Sequence, residues 1–290
     1  MPNANASIPP WVSGFRKLLS ERGIPKMAND HITVLSDYSS NKQGDVQSFL
    51  LFSQSYSTDW PQLRHDFRAD LPDNRHISYK KISPTSLLGP MLPRYLDIAD
   101  SLHGWCVTVG THRSLKSLVS NKESRRWWMR NANLEAKWSG PQQFENMLRI
   151  VHFLSLLLAE VIGECASVEW VSDQDEIFAN NDRCQDVTKV LHRTLGSYAP
   201  AAKAHILVGT TEIDTGHRGV EDLCAIPDLA CGAVAEFMKS RETEFALSEK
   251  AITIGKWLAA SSRSLQKCSL QFSPISSTEL RIENIEDRMI

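Results

Sequence analysis

The chain has 290 residues, enough to bury a real core in one large domain. Its 42% hydrophobic and 23% charged content is ordinary for a globular protein, and a formal charge of −2 excludes a wholly basic nucleic-acid coat. That balance still leaves room for a basic surface beside an acidic site.

Residues 1–30 read as a tail rich in Pro, Asn and Ala followed by a short amphipathic helix bearing Trp11, Phe15, Leu18 and Leu19. His31–Asp37 and Val46–Gln54 read as two strands joined by the polar turn Ser39-Ser40-Asn41-Lys42-Gln43-Gly44-Asp45. His76–Ile82 is a third candidate strand, completing a meander. A helix over about 86–101 and a buried strand Trp105–Val109 follow. His112–Pro141 then carries seven Lys or Arg against Glu123 and Glu135, with Trp127, Trp128 and Trp138 interleaved and no long apolar stripe. It reads as an inserted helical cap or loop. The helix over about 142–164 has a wide apolar face suited to a sheet. Strand Val168–Ser172, helix Asp182–Leu195, strand His205–Val208, a helix from Asp228 to about Arg241, a helix over about 248–265 and a strand at Leu270/Phe272 complete the pattern. A meander followed by alternating helices and strands predicts a mixed-sheet α/β fold.

The N-terminus lacks the charged start and apolar run of a secretory signal. The most apolar segment, Met147–Ile162, carries Arg149, His152 and Glu160 and is shorter than the roughly 20 residues a membrane span needs. Six scattered cysteines, none in a two-residue-gap pair, read as free thiols in a reducing compartment. A cytoplasmic protein without a membrane partner is expected.

Three carboxylates stand out. Asp37 closes the apolar run Ile32–Ser36, Asp173 closes Val168–Ser172, and Asp228 precedes the small-residue stretch Leu229-Ala230-Cys231-Gly232-Ala233. Each alone reads as a turn or helix cap. Together, at strand exits and a helix start, they can converge, and converging carboxylates repel unless a cation joins them. Asp37, Asp173 and Asp228 are therefore candidate catalytic and metal ligands, with Asp175 in reserve. Hard oxygen ligands favour Mg²⁺ or Mn²⁺.

These residues resemble the ribonuclease-H-like superfamily. More narrowly, they look like the domain-of-unknown-function family numbered thirty-eight hundred, over roughly residues 31–240. Strand one there usually ends Asp-Glu-Ser-Gly, here Asp37-Tyr38-Ser39-Ser40. The last motif usually reads Gln-Leu-Ala-Asp-Leu-Ile-Ala-Gly, here Ala225-Ile226-Pro227-Asp228-Leu229-Ala230-Cys231-Gly232. The resemblance implies a mixed sheet with helices on both faces, an acidic metal-dependent site and nucleic-acid processing. It divides the chain into a tail and short helix (1–30), a ribonuclease-H-like domain (31–245) with a basic helical insertion at 112–141, and a C-terminal helix-and-strand extension (246–290). Two departures matter. The Glu after Asp37 is missing. So is the Glu that members carry two residues before a strand-three Lys, where this chain has Ile77-Ser78-Tyr79-Lys80-Lys81-Ile82.

Basic residues complete the expected site. Lys80 and Lys81 suit a scissile phosphate. His217, in the loop Thr215-Gly216-His217-Arg218-Gly219, suits a phosphate contact or a general acid. Arg125 and Arg126 with the neighbouring tryptophans suit a phosphate backbone and stacked bases. His112, His152 and His192 share no ligand spacing and read as structural or surface residues. No phosphate-cradling Gly-Lys-Ser/Thr loop, dinucleotide glycine motif or Gly-x-Ser-x-Gly turn is present, so ATPase, dehydrogenase and serine-hydrolase chemistries lose their footing. The expected function is a metal-dependent phosphodiesterase acting on DNA or RNA. The alternative is a non-cleaving version that binds nucleic acid or protein, as a subunit of a larger bacterial assembly such as a defence or mobile-element system.

Overall fold

The computed structural model describes residues 8–22, 27, 31–53, 59–71, 75–119, 122–138, 140–163, 165–173, 177–214, 216, 218–276 and 279–289. Its frame is one mixed seven-stranded sheet in the order β5-β4-β1-β2-β3-β6-β7. The strands are β1 (His31–Asn41), β2 (Gly44–Ser53), β3 (Gly104–His112), β4 (Cys165–Ser172), β5 (Lys203–Thr210), β6 (Leu265–Pro274) and β7 (Leu280–Asn284). β1, β3, β4, β5 and β6 run one way; β2 and β7 run against them.

Helices cover both faces, and strand alternation explains the split. On one face Val34, Phe49, Leu51, Val107, Val109 and Trp170 meet α1 (Val12–Glu21), α4 (Lys122–Asn131), α5 (Pro141–Val161) and α6 (Asn181–Tyr198). On the other, Leu35, Val46, Leu50, Cys106 and Val171 meet α2 (Trp60–Ala69), α3 (Leu88–Ala99), α7 (Gly219–Glu242) and α8 (Glu249–Ala259). α5 is buried nearly all round, because the sheet takes one side and neighbouring helices take the other. Its charged residues survive burial by pairing: Arg149 meets Glu145 and Asp45 at 3.0 Å each. Among the described residues no helix is long and apolar enough to cross a membrane, and Cys106, Cys224, Cys231 and Cys268 are free thiols.

Four expectations are corrected. His76–Ile82 is not a strand. Ile77 and Ile82 anchor it in the core, and the chain between them makes a 3₁₀ turn, Tyr79–Lys81. The place beside β2 belongs to Gly104–His112, whose interior residues are buried on both faces. β1 does not stop at Asp37 but runs on to Asn41 and turns through Lys42 and Gln43 alone. α7 starts at Gly219, nine residues before Asp228, with Pro227 inside it. Pro227 removes one helical donor, but Ile226, Leu229, Ala230 and Ala233 are buried against the sheet side, and that packing carries the helix through. Lastly, the basic segment is not a cap standing off the core. Trp128, Ala132, Ala136 and Trp138 lie in the α5-side core, and buried Asp186 of α6 accepts hydrogen bonds from the Glu135 and Ala136 backbone and from Trp138 Nε1.

Candidate functional site

The parallel pairing of β1 with β4 ends at Ser36 opposite Ser172. Asp37 follows on β1, and Asp173 is the first residue past the end of β4. Neighbouring strands lie ~4.8 Å apart, so residues that each follow the last paired position start from backbones held side by side. Both residues share the parity of Leu35 and Val171, whose side chains belong to the α7-side core. The third aspartate comes from above, because α7 crosses β1, β2 and β3 on that face. Asp37, Asp173 and Asp228 thus line one cavity of about 470 Å³ at the carboxyl ends of β1 and β4. Strand carboxyl ends are the usual ligand-binding edge of open α/β sheets.

The cavity is braced on all sides. Thr211, just past β5, donates to Asp173 Oδ1 at 3.0 Å. Under Asp37, the Cys231 thiol donates to the Asp37 carbonyl at 3.1 Å. On the open side stands the Tyr79–Lys81 turn. Its Tyr79 N–H donates to Asp228 Oδ2 at 2.6 Å, and the Tyr79 hydroxyl donates to Glu236 Oε2. Between those two acids lies Gly232, where an added Cβ would sit 2.1 Å from Tyr79 Cγ. Asp228, Gly232 and Glu236 are spaced by four and share one helix face. Lys250 of α8 closes the clamp from below, donating to the Tyr79 and Ile82 carbonyls at 2.7 and 2.9 Å, with its Nζ 4.1 Å from the Tyr79 ring centre. Lys80 and Lys81, both exposed, are held on the cavity rim.

The electrostatics follow this geometry. Burial pushes the Asp228 carboxyl above its ordinary value; the Tyr79 N–H, His76 and Lys80 oppose the shift, and Asp173 adds to it. Burial likewise raises the Cys224 thiol, helped by Asp173 and Asp37, so the thiol lining the cavity stays protonated. Burial also raises Glu236, but hydrogen bonds from Tyr79 and Ser248 outweigh it and hold the carboxyl below its ordinary value. Glu236 is an ionised structural acceptor.

Lys80 and Lys81 therefore join the three aspartates, whereas Arg125 and Arg126 do not. They sit on α4, packed on the opposite face of the sheet, and with Met129 and Arg130 line a separate hollow. Arg125 lies over the Phe144 ring at 5.6 Å. Trp128 and Trp138 are core residues and cannot stack bases. Asp175 and His217 lie outside the described residues. Among the described residues, no group of three or more His, Cys, Asp and Glu side chains sits close enough to hold a metal ion. The three aspartates share a cavity without closing into a ready-made cage.

Sequence reasoning missed His76, Tyr79, Thr211, Glu236 and Lys250. The four-residue spacing of Asp228, Gly232 and Glu236 was a readable signal for a ring seated on α7; the partners from α8 and the end of β5 carried none. No protein-family model matches the chain, and neither a curated protein nor a solved structure matches it significantly.

Proposed function

We propose that the protein is a metal-dependent phosphodiesterase of ribonuclease-H-like kind that acts on nucleic acid at the cavity of Asp37, Asp173 and Asp228. The observation that carries this reading is the meeting of those three carboxylates in one cavity with Lys80 and Lys81 on its rim. The donor set fits a divalent ion. All three are hard oxygen ligands, and Asp228 Oδ2 is engaged by Tyr79 while its carboxyl, raised by burial, gains from a cation nearby. Mg²⁺ usually keeps several waters and takes one or two carboxylates plus substrate phosphate oxygens, so a cavity without a closed cage suits it. A bound ion would supply Lewis-acid polarisation of the phosphate and a more acidic water.

The remaining roles belong to the chain. Asp37 and Asp173 supply fixed negative charge from adjacent strands, and Thr211 orients Asp173. Lys80 and Lys81 attract and position the phosphate backbone, as compact point charges on a turn fixed by Tyr79. Cleavage of single- and double-stranded DNA and RNA, screened with Mg²⁺ and with Mn²⁺, tests the reading. Activity is expected with at least one substrate and should vanish in Asp37→Asn.

A second reading keeps the cavity but not the chemistry. It draws on the missing three-ligand cluster and on a cavity lining with three carboxylates, both among the described residues. Two-metal phosphoryl transfer works with ions about 4 Å apart, which calls for several bridging and flanking ligands. A non-cleaving nucleic-acid-binding subunit would bind the same substrates with every screen negative.

A further inference from the structure

Beside the carboxylate cavity opens a second one, of about 520 Å³, lined by Arg75, His76, Lys81, Ser86, Leu88 and Arg218. His76 and Lys81 line both, so the two are contiguous. The charge reverses across that shared wall: three aspartates on one side, two arginines and a lysine on the other. Among the described residues no carboxylate forms an ion pair with Arg75 or Lys81, while His76 acts on Asp228 across the shared wall. Arg218 gives one Nη1 to Glu221 at 2.5 Å and keeps further guanidinium donors. Ser86 is not a donor to this space, because its hydroxyl is used by Ser83 and Gly89.

The walls are fixed. The Arg75 carbonyl accepts from Arg68 at 2.5 Å, and Arg68 pairs with buried Asp222 of α7, which also holds Arg64 at 2.6 Å. Tyr95 donates to the Asp222 carbonyl. Leu88, at the start of α3, is a buried floor. A cationic hollow of this size on a braced frame suits an anion larger than a lone ion. Planar guanidinium groups favour phosphate oxygens.

We propose that this second cavity binds a phosphate group of the nucleic-acid strand whose neighbouring phosphodiester lies at Asp37, Asp173 and Asp228. The three aspartates repel any polyanion, and the basic hollow offsets that repulsion at a point displaced along the strand. It thereby sets which bond lies over the carboxylates. The ligand's identity as nucleic acid rests on the proposed function; the hollow's affinity for phosphate does not. Its occupant is either a terminal phosphate or an internal phosphodiester, the same chemistry from two ends of a strand.

The test is binding by the full-length chain in EDTA, so that metal and cleavage play no part. Fluorescence anisotropy is read with labelled oligothymidylate and oligouridylate of about ten nucleotides, each with and without a terminal phosphate, over a series of salt concentrations. Arg75→Gln and the double variant Arg75→Gln/Arg218→Gln are compared with wild type and with Lys17→Gln on α1. Arg75 is exposed, so its replacement leaves the fold intact. The expected results are several-fold weaker binding in Arg75→Gln, a larger drop in the double variant, and a log–log salt slope smaller by about 0.7 for each phosphate that is no longer neutralised. Lys17→Gln should match wild type. A gain in wild-type affinity from the terminal phosphate, abolished in Arg75→Gln, assigns the hollow to a strand end; equal affinities assign it to an internal phosphate. Unchanged affinity and slope in both arginine variants, or no wild-type binding to either oligonucleotide, overturns the proposal. Binding that behaves as expected while every cleavage screen stays negative would sink the nuclease reading and leave the phosphate hollow standing.

Discussion

Tyr79 and Asp228 are joined by a 2.6 Å hydrogen bond from the tyrosine's backbone N–H to the aspartate's Oδ2, although 149 residues separate them. The bond fixes the turn that carries Lys80 and Lys81 to the helix that carries the acid. Cation and carboxylate are therefore set by one device, and the geometry of each depends on the other.

Gly232→Ala tests that device. A helical Gly→Ala change in open space would stabilise by about 1 kcal/mol. Here the new Cβ meets the Tyr79 ring at 2.1–2.5 Å, and the tyrosine is tethered at its backbone and its hydroxyl. Overpacking should win, with a net destabilisation of about 1–2 kcal/mol in urea unfolding. In a Tyr79→Ala background the same Gly232→Ala change should cost nothing or stabilise, because there is no ring to displace.

Asp228→Asn should behave differently from removal of a helix cap, because Asp228 lies inside α7 and caps nothing. Its folded-state proton affinity is raised by burial. The stabilising contribution is thus present at pH below the unfolded value and is lost as pH rises through the folded one. At neutral pH the ionised carboxyl costs stability, so Asn should leave the metal-free protein no less stable and remove part of the decline that sets in as pH rises above the unfolded carboxyl value. Thermal melts of both proteins in EDTA across the acid range measure this; a clearly lower melting temperature for Asn at neutral pH would contradict it.

His152 makes an independent pH prediction. It is buried in α5, shares a hydrogen bond with the Tyr198 hydroxyl at 2.6 Å, and burial pushes its pKa down to about 3. A lowered base contributes stability above its unfolded value that is lost as pH falls toward the folded one. From about pH 7.5 to about pH 5 the decline should be on the order of 2 kcal/mol. His152→Gln should flatten that slope in urea titrations; identical slopes would show that His152 takes up its proton alike in the folded and unfolded states.

Trp128 is expected to matter for folding and not for nucleic acid. It is buried in the α5-side core, with Trp127 packed edge-on at 5.1 Å. Trp128→Ala should cost about 3–5 kcal/mol. A variant that folds normally but binds oligonucleotides weakly would return the segment to the binding surface.

What the sequence disclosed followed physical locality. The apolar runs of β1, β3 and β4 and the wide face of α5 showed themselves through periodicity, and strand-end aspartates are visible one at a time. Their convergence was legible because parallel strands with matched apolar lengths end together. The fate of His76–Ile82 was not, since Ile77 and Ile82 suit a strand or an anchored turn equally, and the choice is made by Lys250, Asp228 and Gly232 far along the chain. The basic segment misled for a similar reason: its arginines are local, but the burial of Trp128 and Trp138 is decided by α5 and by Asp186 of α6. The helix read as opening at Asp228, just after Pro227, in fact starts at Gly219 and runs through the proline, because packing carries it.

The most direct measurement is the Mn²⁺-induced shift in unfolding free energy for wild type, Asp37→Asn and Asp173→Asn, each melted with and without the ion. An ion bound only by the folded state at about 100 times its Kd adds about 2.7 kcal/mol. The account predicts a shift of that order in wild type and its disappearance in both variants, because the two aspartates each follow the last paired residue of adjacent strands and line the same cavity. No shift in wild type, or an undiminished shift in both variants, would contradict it.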